Sequence, residues 1–284
     1  MRAQPAKSSE WRRRFADEAR SERPDLSLLC LLLSGEADPE LDDAGIVAAQ
    51  IELDTLAGQL PYRPGGARAW AAAMSELLGG RHGFHGAATD YQRLESSLLH
   101  EVLRHKRGLP ILLSVVWIEV ARRAGAPVYG VALPGHFVVG FGSPDEYGAT
   151  EQVLADPFNG GRLLSREDAE QLVAQTTGGK LNSSLLTAAA PLNIMLRILN
   201  NIRAWAADRS ERSHVALWAL ELSLLLPSHP ARLRYERAQL LVERGDFLEG
   251  ARGLDEYAEV VESIEPTTAE RVRLQARAAR AKLN

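Results

Sequence analysis

Cysteine is nearly absent: Cys30 is the one thiol in 284 residues. A single thiol excludes an intramolecular disulfide and any zinc site built from several thiolates. It lies in the apolar run Leu26-Ser27-Leu28-Leu29-Cys30-Leu31-Leu32-Leu33, where it reads as a small buried hydrophobe. That run is too short to span a bilayer, and Ser34 and Gly35 interrupt it. The segment Met1 to Ser9 carries charge with no apolar stretch behind it, so no secretory signal is read and a reducing cytoplasm is the expected location. Charge of one sign is scarce too. Lys and Arg total 33 against 37 Asp and Glu, a formal net charge of -4, which gives nucleic acid or an anionic membrane no global attraction. There is no Walker A loop, no Rossmann glycine fingerprint and no G-x-S-x-G elbow, and no cofactor is expected. Against these absences stand 45% hydrophobic and 25% charged residues, the proportions of a globular chain that buries a real core.

The first hundred residues carry helical spacing. Ser9 is expected to cap a helix through Trp11, Phe15 and Ala19, ended by Pro24. Leu26 to Leu33 follows, then Ile46, Ala49, Ile51, Leu53, Leu56 and Leu60, stopped by Pro61. A shorter helix fits Ala67 to Leu78, closed by Gly79-Gly80, with a loop to Gly86. Leu94 to His105 is also helical, and Arg107-Gly108-Leu109 breaks it. Pro110 suits the first turn of the next helix, where its missing N–H costs nothing, and Gly125 closes that helix. Apolar residues run almost all round it, so it is read as buried.

Two strand-like runs come next, Val128 to Leu133 and His136 to Phe141, divided by Pro134-Gly135. A loop from Gly142 to Gly148 leads to a third, Gln152 to Ala155. Ser165 with Asp168 forms a capping box. From Pro191 onward the pattern is helical, with joints at Pro227-Ser228-His229-Pro230 and Gly245-Asp246-Phe247. Pairing Ser210 with Gly245 and Ala216 with Ala251 gives an offset of 35 residues (245−210 and 251−216), near the ~34-residue tetratricopeptide period. Close helix contacts are expected at both alanines. The fold class is α+β, with domains at 1–189 and 190–284.

Acyl transfer needs a thiolate at a helix N-terminus, where free N–H groups and the dipole lower its pKa. It also needs a histidine as base and a carboxylate or amide to hold the imidazole. His136, beginning one strand, and Asp156, ending another, are placed to project toward one sheet end.

Three segments together carry a family resemblance: Arg107-Gly108-Leu109-Pro110 through Gly125-Ala126-Pro127, then Pro134-Gly135-His136-Phe137, then Asp156-Pro157-Phe158-Asn159-Gly160-Gly161. The chain resembles the SirB-type branch of the transglutaminase-like superfamily. The resemblance implies a papain-like core with a small antiparallel sheet, a helical N-terminal region and tetratricopeptide-like hairpins after it. It also implies a Cys-His-Asp triad, of which His136 and Asp156 match the last two members. Counting two residues from Gly108 and fifteen back from Gly125 puts the cysteine position at Pro110. Gly108, Ser114, Gly135, Phe137 and Asn159 are the expected lining residues.

Ser114 lies one turn further into the helix, where back-bonding to a helix carbonyl is its expected role. His82, His85, His100 and His105 cluster in sequence, but glycines flank His82-x-x-His85 and no second ligand pair has zinc spacing, so no metal is expected. The function read from the chain is a non-catalytic interaction or regulatory module that binds a protein partner through its C-terminal helices. The alternative is an amide or ester hydrolase, or acyl-transfer enzyme, in which His136 and Asp156 activate water or another nucleophile.

Overall fold

The computed structural model describes residues 5–62, 65–143, 152–207 and 209–283. The loop expected from Gly142 to Gly148 lies outside them from Pro144 onward. The chain divides into two compact units, the first holding residues up to 14 and 21–198, the second 15–20 and 199 onward.

Local chemistry starts most helices of the first unit. Helix α1 (Pro5–Ala19) begins at its proline, a residue preorganised for a first turn, so Ser9 lies inside the helix and does not cap it. Asp25 caps α2 (Leu26–Ala37) by accepting from the Leu28 N–H at 2.9 Å, and Asp42 does the same for α3 (Asp43–Ala57) from Gly45. Helix α2 is buried almost all round, which leaves Cys30 only 2% exposed.

Helix α4 (Ala67–Met74) departs from the expected course. It widens into a π turn over Ser75–Arg81 and runs through Gly79-Gly80 instead of stopping there. The reason is a close approach: a Cβ on Gly79 would lie 1.9 Å from the Gly160 carbonyl oxygen. The expected helix from Leu94 is likewise split, because Leu98 is extended; a 3₁₀ turn over Glu95–Ser97 precedes α5 (Leu99–His105).

Helix α6 (Pro110–Arg123) is the centre of the unit, buried from Pro110 to Ala121 and packed against the sheet. Strands β1 (Val128–Val131), β2 (Val138–Phe141), β3 (Val153–Asp156) and β4 (Arg162–Leu164) form an antiparallel meander in chain order. Gly140 pairs with Tyr129 on one side and Leu154 on the other. The three-residue β4 is a sheet edge that period-2 reading does not detect. Helix α7 (Arg166–Thr177) opens on the expected box, Ser165 Oγ accepting from Asp168 N at 3.1 Å and Asp168 Oδ2 from Ser165 N at 2.8 Å.

Helix α8 (Pro191–Ala207) contributes its first half to this unit and its second half to the other. The second unit continues with α9 (Ser213–Leu225), α10 (Arg232–Glu243), α11 (Phe247–Val261) and α12 (Pro266–Ala281). Helix starts recur at 34 residues, Ser213 to Phe247 (247−213) and Arg232 to Pro266 (266−232). The pairing at 35 is therefore one residue out of phase, a rotation of about 100° on a helix. Ala251 is fully buried among Ala238, Leu254, Ala258 and Ala276, as a close contact needs. Ala216 is not: it is half-buried and lines a groove, while Ala219 takes the buried position on α9.

Candidate active site

The turn between β1 and β2 brings His136 to the end of β3. His136 does not begin the strand, since β2 starts two residues later at Val138. Its backbone is held differently: its N–H bonds the Leu133 carbonyl at 3.2 Å, and the Leu133 and His136 carbonyls both accept from one guanidinium nitrogen of Arg197, at 2.7 and 2.8 Å. With those acceptors taken, strand pairing begins only after them. Gly135 turns the chain at φ 69°, packed against Thr176 of α7.

His136 Nε2 lies 2.9 Å from Asp156 Oδ1. That oxygen also accepts from the Phe158 N–H at 3.1 Å, and Oδ2 accepts from Asn159 Nδ2 at 2.7 Å. Asp156 is 1% exposed. Burial pushes its carboxyl pKa up, but the His136 hydrogen bond and charge, with Asn159 and the Phe158 N–H, outweigh this and leave it below the ordinary value. The Nε2 contact leaves His136 Nδ1 as the ring atom turned to other partners.

The Asp-Pro-Phe-Asn-Gly-Gly segment is a compact turn that folds back on its own aspartate. Gly160 and Gly161 adopt φ 65° and 82°, and the Gly161 N–H bonds the Asp156 carbonyl at 2.8 Å. Ser75 Oγ donates to the Gly161 carbonyl, and Gly86 N donates to the Phe158 carbonyl at 2.9 Å. Helix α6 packs on this turn as well. The Phe158 ring meets His136 edge-on at 6.0 Å and Tyr91 at 6.1 Å.

Pro110 is the first residue of α6 and is buried. Ser114 is fully buried, and its hydroxyl donates across to the Phe137 carbonyl at 3.3 Å. The expected back-bond within α6 is thus replaced by a tie to the His136 segment, whose free carbonyl lies beside it. Phe137 packs beneath Arg197, whose guanidinium carbon is 5.5 Å from the ring centroid. Gly108 lies just before α6, where a Cβ would lie 2.6 Å from Val102 and 3.2 Å from the Ser96 carbonyl oxygen.

Arg197 and Tyr91 escaped sequence reasoning, since neither stands in a motif. The histidine cluster dissolves: His82 Nε2 meets Gln59 at 2.9 Å and His85 Nδ1 meets the Gly83 carbonyl at 2.8 Å. His100 instead joins Asp38 (3.0 Å) and Glu101 (3.3 Å), three donor atoms within 4.8 Å, with Asp38 brought in from 62 residues away.

A buried helix packed on an antiparallel sheet, with a histidine–aspartate pair held at the sheet's end, fits a papain-like core, and helical hairpins repeating at 34 residues follow it. The transglutaminase-like superfamily matches residues 47–200 and a tetratricopeptide-repeat family matches residues 202–279. The chain belongs to the transglutaminase-like superfamily, as a core of that type with C-terminal tetratricopeptide-like helices. It is 34% identical over 168 residues to a UPF0162 protein of Xylella fastidiosa, covering 57% of this chain and 58% of that one. It is 25% identical over 166 residues to human F-box only protein 21, covering 57% of this chain and 26% of that protein. The chain thus spans little more than half the length of the bacterial relative. Among solved structures, menin superposes with a TM-score of 0.44 at 12% identity, over 90% of this chain and 71% of menin. No helix among the described residues is long and apolar enough to cross a membrane.

Proposed function

We propose that this protein is a non-catalytic, SirB-type member of its superfamily, an interaction or regulatory module whose C-terminal helices hold a protein partner. One observation carries the reading: α6 begins at Pro110, the residue that the family resemblance assigns to the nucleophile position. Proline offers neither a side-chain nucleophile nor an N–H for an oxyanion. The nearby hydroxyl, Ser114, is committed to a backbone carbonyl. Cys30 is buried, and desolvation, with the negative charges of Glu119 and Asp25, pushes its thiol well above the ordinary range. A cytoplasmic location fits this lone reduced thiol. His136 and Asp156 then orient a bound group.

A groove of about 440 Å³ in the second unit, lined by Asn200, Arg203, Ala204, Ala216, Leu240 and Glu243 among others, supports the partner half of the reading. Ala204 is exposed there, so Ala204→Arg fills the groove without touching the core. Partners captured by the intact chain should be lost with Ala204→Arg; unchanged capture would place the partner surface elsewhere. The intact protein should also resist a fluorophosphonate probe.

The intact 2.9 Å His136–Asp156 pair favours the second reading, hydrolysis of an amide or ester by water that His136 activates. A substrate screen comparing the parent with His136→Ala decides between them. Turnover that depends on His136 overturns the non-catalytic reading, as does stoichiometric Ser114 labelling that vanishes with His136→Ala.

A further inference from the structure

Arg197 is a half-buried guanidinium with no carboxylate partner among the described residues. Its hydrogen bonds there go through a single nitrogen to two neutral carbonyls. A desolvated cation without a counter-charge is costly, and burial lowers its pKa accordingly. The two carbonyls explain why Arg197 sits beside His136 but not why the position carries a full positive charge.

Its surroundings supply what an anionic ligand needs. Tyr91 is half-exposed, and its ring packs on Phe158, which itself packs on His136. Burial and the Asp156 charge push the Tyr91 phenol pKa up, more than Arg197 draws it down, so the hydroxyl stays protonated and able to donate. Asp156 keeps its charge, so Arg197 has to outweigh it for an anion to settle here; the Asp156 oxygens themselves are directed at His136, the Phe158 N–H and Asn159. In the neutral ring, with Nε2–H donating a hydrogen bond to Asp156, His136 Nδ1 is an acceptor with no partner among the described residues.

We infer that Arg197, the Tyr91 hydroxyl and His136 Nδ1 form a binding site for a carboxylate joined to an amide N–H, as at a peptide C-terminus or an acylated amino acid. The planar guanidinium suits a carboxylate, Tyr91 donates to it, and the ring nitrogen accepts the neighbouring N–H. If Pro110 stands at the nucleophile position, as the proposed function has it, a ligand here is held and not consumed. The inference rests on the reading that the mouth still receives a group, and it is independent of whether the C-terminal helices bind a protein.

The test uses the full chain, titrated with N-acetylglycine, N-acetylglycinamide and inorganic phosphate, following the His136 ring by NMR and heats by calorimetry. N-acetylglycine should saturate and shift the His136 ring. The uncharged amide should bind about ten-fold more weakly or worse, the loss expected when a hydrogen bond to a charged group is removed. Raised salt should weaken the carboxylate titration. Arg197→Gln should abolish it and Tyr91→Phe should weaken it. Should Arg197→Gln not fold, having lost its grip on two carbonyls, Tyr91→Phe leaves that grip intact and decides with the amide comparison. Equal binding of acid and amide, indifference to Tyr91→Phe, binding of phosphate alone, or no saturable shift would each overturn the site. Tail-partner capture can survive any of these results, so failure here and failure of the interaction reading are told apart.

Discussion

Asp156 shows how one buried carboxylate ties folding to pH. Its native pKa lies below the ordinary 3.8, so it contributes stability that is full above that value and is lost as pH falls through the native pKa. The melting temperature should therefore decline as pH falls below the ordinary carboxylate range, and Asp156→Asn should flatten that acid limb while lowering the plateau. An unchanged acid limb in the variant would mean that other carboxylates govern it. Cys30 makes the opposite case, a group whose chemistry burial suppresses. Iodoacetamide should modify it only after unfolding, and mass spectrometry of native and denatured samples checks this. Fast native alkylation that disappears with His136→Ala would show the thiol recruited into the site.

Helices in this chain are set by their ends and by how near they approach one another. Ala251 of α11 is fully buried among the small side chains of α10 and α12. Ala251→Leu should overpack this contact and cost on the order of 1–3 kcal/mol; an unaltered denaturation midpoint would contradict the close packing. Helix α7 depends instead on its N-cap. Ser165→Ala removes the acceptor for the Asp168 N–H and should cost about 1 kcal/mol. The site shares that cost, because Thr176 of the same helix braces Gly135, the turn residue before His136. A neutral melt for Ser165→Ala would show the box to be dispensable.

Cutting the whole chain tests where its first unit ends. The change to continuous helix at Pro191 suggests a division at 189/190, yet Arg197 holds the Leu133 and His136 carbonyls from beyond that point. A protein ending at Ala189 should melt lower than one ending at Ala207 and should show an altered His136 ring environment by NMR. Identical melts and spectra would mean that the turn holds its shape without the arginine.

Features with a local cause were legible in the residues. Pro110 opens α6, Gly125 follows its last turn, the Ser165 box starts α7, and a repeat of the paired helices shows in the periodicity to within one residue, 35 read against 34 observed, because each depends on neighbours within a few positions or on simple periodicity. The histidine and aspartate were legible too, since each stands in a short turn motif that requires its particular residue types. Contacts decided across the chain left no such trace. The π turn follows from Gly79 meeting Gly160, and the length of β2 follows from Arg197 reaching carbonyls 61 and 64 positions away. Ser114 found its acceptor 23 residues on, at Phe137. Each of these partners is a backbone carbonyl, which every residue possesses, so the sequence carries no mark of which one is used. Only the packing of α6, the sheet and α8 selects it.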